Sequence, residues 1–185
     1  MPLISLLGNR VELRELAAGD LEAVIAYSVD EVVARYQDWQ SHTADAAKAF
    51  FDREIAAAQR TPRHTYSLAI VERASSLLIG DASIEIGSVP NKRAEIGFTL
   101  RRDRWGAGLA TEASRLLLAF GFDQLGMHRI EATSHPDNVA SIRVLEKIGM
   151  SLEGRIRDHL FVRGGWRDSL VFSILEPEWR AQVGA

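Results

Sequence analysis

The chain has 185 residues, of which 46% are hydrophobic and 25% charged, a balance that supports one full core and excludes a disordered composition. A net charge of −3, with basic residues scattered rather than in blocks, offers no field for a nucleic-acid backbone. The absence of cysteine excludes disulfides, thiolate metal sites and a covalent thiol intermediate.

The five histidines, His42, His64, His128, His135 and His159, show no metal-ligand spacing, so no metal is expected. The opening Met-Pro-Leu-Ile-Ser-Leu-Leu-Gly lacks a basic leader, and no apolar run approaches membrane-spanning length. A cytoplasmic protein of one domain, residues 1–185, is expected, with neither membrane nor nucleic acid as a partner.

In chain order, Arg10-Val11-Glu12-Leu13-Arg14 alternates apolar and charged residues as a half-buried strand does. Gly19-Asp20 then offers a turn and a helix cap. Apolar residues at Leu21, Val24, Ile25, Val32 and Val33 suit helix as far as Tyr36, broken near residues 28–30. Thr43 caps a second helix through Phe50, Phe51 and Ile55 that ends before Thr61-Pro62. Trp39, between the two, suits either the core or a cleft wall.

After Pro62 the pattern changes to strands at residues 65–71, 77–84 and 94–100, an antiparallel run. The next helix buries Leu109, Ala113, Leu116, Leu117 and Phe120, and a strand at residues 128–133 follows. Coming after a helical crossover, that strand should lie parallel to the strand at residues 94–100. Pro136-Asp137-Asn138 opens a further helix, and Arg163-Gly164-Gly165 turns a final hairpin between residues 152–162 and 166–175.

The junction Arg104-Trp105-Gly106-Ala107-Gly108-Leu109-Ala110-Thr111-Glu112 leads from strand to helix. A helix start presents unpaired N–H groups at the positive end of its dipole, so an anion such as a pyrophosphate is the natural partner. Gly106 and Gly108 would let that ligand approach the backbone, or serve only the turn. Thr111 stands where a dinucleotide fingerprint requires Gly or Ala, and no Gly-Lys-Ser/Thr ending forms a nucleoside-triphosphate loop.

This junction, together with Pro136-Asp137-Asn138-Val139-Ala140-Ser141-Ile142-Arg143-Val144-Leu145-Glu146-Lys147-Ile148-Gly149-Met150, resembles the Gcn5-related N-acetyltransferases (GNAT). More narrowly it is similar to their RimJ/RimL-type ribosomal-protein branch, which the opening Arg10-Val11-Glu12-Leu13-Arg14-Glu15-Leu16 also fits. The resemblance implies an α+β fold, with a mixed, largely antiparallel sheet splayed in the middle and helices on both faces. It implies acetyl-coenzyme A as cosubstrate, wedged between the strands at residues 94–100 and 129–133.

On the same grounds, Arg104, Trp105 and the turn through Thr111 would hold the pyrophosphate. Phe98, Thr99 and Leu100 would pair with the pantetheine arm like an added strand. Asn138 would bond the coenzyme arm or cap its helix. The family's tyrosine, four residues beyond Ser141, is replaced by Leu145; Ser141 inherits stabilisation of the leaving thiolate, or serves only the helix start.

Amine attack needs a neutral nitrogen and is helped by a nearby base. Glu95, Asp158 and His159 are the candidates. The expected reaction is direct acetyl transfer to a primary amine, foremost a peptide N-terminal α-amine, with a polyamine or aminoglycoside acceptor as the alternative. Two rivals stand beside it: an inactive coenzyme-binding module, and a dinucleotide enzyme with Glu131 as its acidic residue. A homodimer is common in the branch that the chain resembles.

Overall fold

The structure, a computed structural model, describes residues 4–40 and 42–184. Among the described residues, eight strands form one sheet in the order β1-β2-β3-β4-β5-β6-β8-β7. They are β1 (Ser5–Leu7), β2 (Val11–Glu15), β3 (Thr65–Glu72), β4 (Leu77–Ser88), β5 (Arg93–Leu100), β6 (Arg129–Ser134), β7 (Ser151–Val162) and β8 (Gly165–Leu175). Every neighbouring pair is antiparallel except β5 and β6, which run parallel as the crossover requires.

The helices are α1 (Leu21–Ser28), α2 (Glu31–Ala34), α3 (Ala44–Ala58), α4 (Leu109–Ala119), α5 (Val139–Lys147) and α6 (Glu176–Val183). The expected break in the first helical region falls between α1 and α2, where the Asp30 carboxylate accepts the N–H of Val32 at 2.8 Å and restarts the helix. The Thr43 hydroxyl accepts the Ala46 N–H at 3.2 Å, capping α3.

Alternate residues of β3 show how the two faces are covered. Tyr66, Leu68 and Ile70 join the main core with Leu109, Ala113 and Leu117 of α4. Ala69 and Val71 join a second core with Val24 and Tyr27 of α1 and Phe51 of α3. Helices therefore pack on both faces, and Trp39 serves the second core while also lining the cleft described below.

The sheet is splayed where β5 meets β6. Their pairing covers only Arg93 with Arg129, Ala94 with Ile130 and Glu95 with Glu131. Beyond those positions the strands part, and the gap opens toward the start of α4.

Two elements lie beyond the expectations. The three-residue β1 is too short to show a period, and α6 begins with Glu-Pro-Glu. That second signal is legible, because proline in the first helical turn and a Glu178 carboxylate accepting the Leu175 N–H at 2.8 Å both mark a helix start. The helix from Leu109 also passes into a π-turn at Phe120–Gln124.

Candidate active site

The gap leaves one edge of β5 free. Arg101 N–H bonds back to Ile79 O at 2.8 Å, so the two-residue alternation of an antiparallel ladder turns the peptide groups of Leu100, Phe98 and Ile96 the other way, into the gap. Thr99 turns its own peptide group to β4, unlike its neighbours Phe98 and Leu100. The Leu100 carbonyl is taken by the Trp105 indole, whose Nε1 donates at 2.8 Å and tops the strand. The Ile96 N–H faces Glu131 in the last rung to β6, so Phe98 is the residue that remains available to an extended ligand.

At the top of the gap, Gly106 and Gly108 adopt φ of +77° and +78°, a region that other residues reach only with strain. Gly108 is the residue before α4. Arg10 pins the turn from behind: Nη1 donates to Ala107 O at 2.7 Å and Nη2 to Gly108 O at 3.4 Å. The N–H groups of Leu109, Ala110 and Thr111 have no intrahelical acceptor. Ala107 is off the cleft wall, whereas Gly106, Gly108, Leu109, Ala110 and Thr111 are on it. Arg104, also on the wall, is already engaged by Asp103 at 2.9 Å and Glu72 at 3.4 Å.

Across the gap stands α5. The Asn138 Oδ1 accepts the Ser141 N–H at 3.1 Å, so Asn138 is the helix cap, and its amide nitrogen has no partner among the described residues. The Ser141 hydroxyl is likewise without a partner among them and lines the cleft, as Arg143 and Lys147 do further along the helix.

The candidate bases separate. Glu95 lies at the fork, where Thr133 Oγ1 donates to its Oε1 at 3.0 Å across the parting strands. Loss of water from its carboxylate between the cleft walls, and then the Glu131 and Glu85 carboxylates, push Glu95 above the usual range against the Thr133 bond and the nearby His159. Asp158 is not on the cleft wall. It sits with φ of +48° in the irregular stretch of β7 between Ile156 and Leu160, and its N–H bonds Asp168 at 2.9 Å. His159 stands one residue back, its Nδ1 3.0 Å from the Ser169 Oγ that lines the cleft. Of the three, the structure brings Glu95 to the gap.

Residues unseen in the sequence complete the other face. Asp81, Ser83 and Glu85 of β4, Ser67 of β3 and Glu54 of α3 line the same cleft, whose volume is about 990 Å³. Polar residues alternating with the buried Ala82 and Ile84 were the available signal, since that period marks a polar face. The cleft thus runs from the glycine turn, through the gap, to a polar trough beneath α1 and α3. Among the described residues no group of His, Cys, Asp and Glu is placed to hold a metal. Glu131, the acidic residue of the dinucleotide alternative, is bound by Arg129 at 2.7 Å and Arg93 at 3.7 Å.

A splayed sheet with an anion-ready helix start beside a free strand edge is a known arrangement. The family described as "Acetyltransferase (GNAT) domain" matches residues 10–151. The uncharacterized N-acetyltransferase p20 of Bacillus licheniformis is 30% identical over 92% of this chain and 96% of its own length. The Bacillus subtilis protein YdaF, whose name describes a ribosomal N-acetyltransferase, is 35% identical over half of each chain. The spermidine N(1)-acetyltransferase of Escherichia coli is 28% identical over 54% of this chain and 53% of its own.

Among solved structures, a GNAT-family acetyltransferase from Bacillus anthracis superposes with a TM-score of 0.82 at 26% identity, covering 94% of this chain and 99% of that one. Mycobacterium smegmatis RimJ, solved in complex with CoA-disulfide, shares the fold with a TM-score of 0.82 at 24% identity, covering 100% of this chain and 93% of that one. The chain therefore belongs to the GNAT family, whose acetyltransferases use acetyl-coenzyme A, and it is an acetyl-transfer enzyme.

Proposed function

We propose that this enzyme moves the acetyl group of acetyl-coenzyme A directly to the N-terminal α-amine of a protein or peptide. The observation that carries the reading is the free edge of β5, which lies between the helix start at Gly108 and the polar trough. An anion at the N–H groups of residues 109–111 would place the coenzyme arm along Phe98, beyond the last rung to β6. The amine approaches from the trough side.

In the transfer step the amine nitrogen attacks the thioester carbonyl carbon, and its N–C bond forms as the C–S bond breaks. Backbone N–H groups of the free β5 edge stabilise the charge that develops on the carbonyl oxygen. Glu95, directly or through a water, takes the proton that the amine must lose. Ser141 donates a hydrogen bond to the departing thiolate. YdaF supports the α-amine acceptor by its name, and Glu95 is the candidate base that lies at the gap among the described residues. A cytoplasmic setting fits that acceptor, and among the described residues no helix is long and apolar enough to cross a membrane.

The test is thiol release from acetyl-coenzyme A with a panel of amines. Release that depends on a peptide with a free N-terminus supports the reading. Coenzyme binding without release in any amine contradicts it.

A further inference from the structure

The trough beneath α1 and α3 holds more negative charge than the transfer step uses. Register partners point to the same side of a sheet, so three rows cross β3, β4 and β5: Thr65, Glu85 and Glu95; Ser67, Ser83 and Gly97; Ala69, Asp81 and Thr99. The middle row is small, and a Cβ on Gly97 would stand 3.3 Å from Ser83 Oγ. It gives an acceptor amine its approach to the free edge of β5. The rows are two residues, about 7 Å, apart along the strands.

The third row is where the excess lies. Asp81 Oδ1 accepts the Tyr27 phenol at 2.6 Å, while Oδ2 has no partner, and the residue no ion pair, among the described residues. Burial, and behind it the Glu54 carboxylate, pushes Asp81 up to about 6. Glu54 itself is buried, with Ser67 Oγ at 2.6 Å and Arg53 Nε at 3.0 Å. Arg53 is further occupied by stacking on Phe50 at 5.2 Å.

A second observation is independent of the carboxylates. Thr99 is only 7% exposed and lines the cleft, yet its hydroxyl has no hydrogen-bond partner among the described residues. An unpaired hydroxyl that opens only to the cleft, beside carboxylates withdrawn from water, leaves acceptor oxygens free for a donor that arrives between them. A cation supplies that donor.

We infer that Asp81 and Thr99, in the field of Glu54, bind a second positive group of the acceptor, about 7 Å from its reacting nitrogen. This rests on the acetyl-transfer reading and narrows its substrate. A peptide N-terminus followed by lysine or arginine presents such a pair. A linear diamine presents the same chemistry, since five bonds of about 1.5 Å span about 6 Å.

The experiment compares matched acceptors: an Ala-Lys peptide against Ala-norleucine, and diaminobutane against butylamine. For the native protein, kcat/KM should favour the doubly charged member of the better pair by at least about tenfold. Asp81→Asn, which keeps an oxygen for Tyr27, and Thr99→Val should each shrink that ratio; reading a ratio cancels any general loss of activity. Equal efficiency for charged and neutral members, or a preference that survives Asp81→Asn, overturns the inference. Preference for the peptide pair identifies a protein source of the second charge, and preference for diaminobutane a small amine.

A binding measurement separates this inference from the transfer step. Calorimetric titration into the protein saturated with free coenzyme A should show that the Ala-Lys peptide or diaminobutane binds more tightly than its singly charged partner, and that Asp81→Asn abolishes the difference. Such binding without thiol release from acetyl-coenzyme A would contradict transfer and uphold the second-charge subsite. Equal binding within both pairs would overturn the subsite alone.

Discussion

Glu112 holds Arg10 by two bonds from opposite ends of the residue. Its Oε1 accepts the Arg10 backbone N–H at 2.7 Å, and its Oε2 the guanidinium Nε at 2.9 Å. The same guanidinium grips the carbonyls of Ala107 and Gly108. A contact spanning 102 residues therefore sets the conformation of the glycine turn. Burial raises the Glu112 carboxyl, but the bonds from Arg10 and Val11 outweigh it and hold the group below its usual range.

Glu112→Ala should accordingly cost about 0.5–1.5 kcal/mol of stability at neutral pH, because it removes the acceptor of two exposed Arg10 donors and of the partly buried Val11 N–H. A carboxyl with a depressed folded pKa contributes above its unfolded pKa and loses that contribution as pH falls through the folded value. Denaturant melts of both proteins should draw together as pH falls from the unfolded carboxyl pKa of about 4.3 through the lower folded one. The variant should also bind coenzyme A more weakly; unchanged affinity would show that the turn does not need this clamp.

Gly108 separates backbone strain from anion binding. A Cβ there would meet nothing closer than Arg10 Nη2 at 3.5 Å, so Gly108→Ala should cost only the left-handed conformation, about 1–2 kcal/mol. Gly108→Glu adds a negative charge at the helix start. It should abolish the thermal shift produced by acetyl-coenzyme A, whereas Gly108→Ala should retain it. An undiminished shift in Gly108→Glu would remove this turn from the binding site.

Ser141→Ala should lower turnover about tenfold to a hundredfold with little change in coenzyme affinity. A hydrogen bond to an ionised group is worth about 1.5–3 kcal/mol, and the thiolate exists only late in the reaction. Normal turnover with a raised coenzyme KM would make Ser141 a binding residue or a helix-start residue. Steady-state kinetics with acetyl-coenzyme A as the varied substrate decides between them.

Local pattern made most of the fold legible. Alternation marked the strands, the helical period marked α4 and α5, and two glycine- or asparagine-led junctions marked two walls of the gap. Cross-strand register was not legible: that Asp81 faces Thr99, and Glu85 faces Glu95, depends on pairings between separate segments. The same holds for the Arg10 clamp. Asp158 misled because it sits in an irregular stretch of β7, where side-chain alternation no longer tells which face a residue meets.

Asp81 carries a stability cost with a definite sign. Its folded pKa, up to about 6, lies above the unfolded value, so stability is fully present below the unfolded pKa of about 3.9 and is lost as pH rises through the folded one. Asp81→Asn should therefore melt higher than the native protein at pH 8, by up to about 3 kcal/mol in stability, with the difference vanishing below about pH 4. Differential scanning calorimetry at the two pH values reads this. A variant less stable at pH 8 would show that the Asp81 charge is compensated in the folded protein.

The acceptor is decided by partial acetylation of a peptide that has a free N-terminus and an internal lysine, with the modified site located by mass spectrometry. An α-amine has a pKa of about 7.7–8.0 and a lysine amine about 10.4, so near neutral pH a far larger share of the α-amine is neutral. With Glu95 as the base at the gap, the N-terminus should be acetylated first, and the rate should rise between about pH 6 and 8 as the α-amine loses its proton. Preferential acetylation of the internal lysine would contradict an α-amine enzyme.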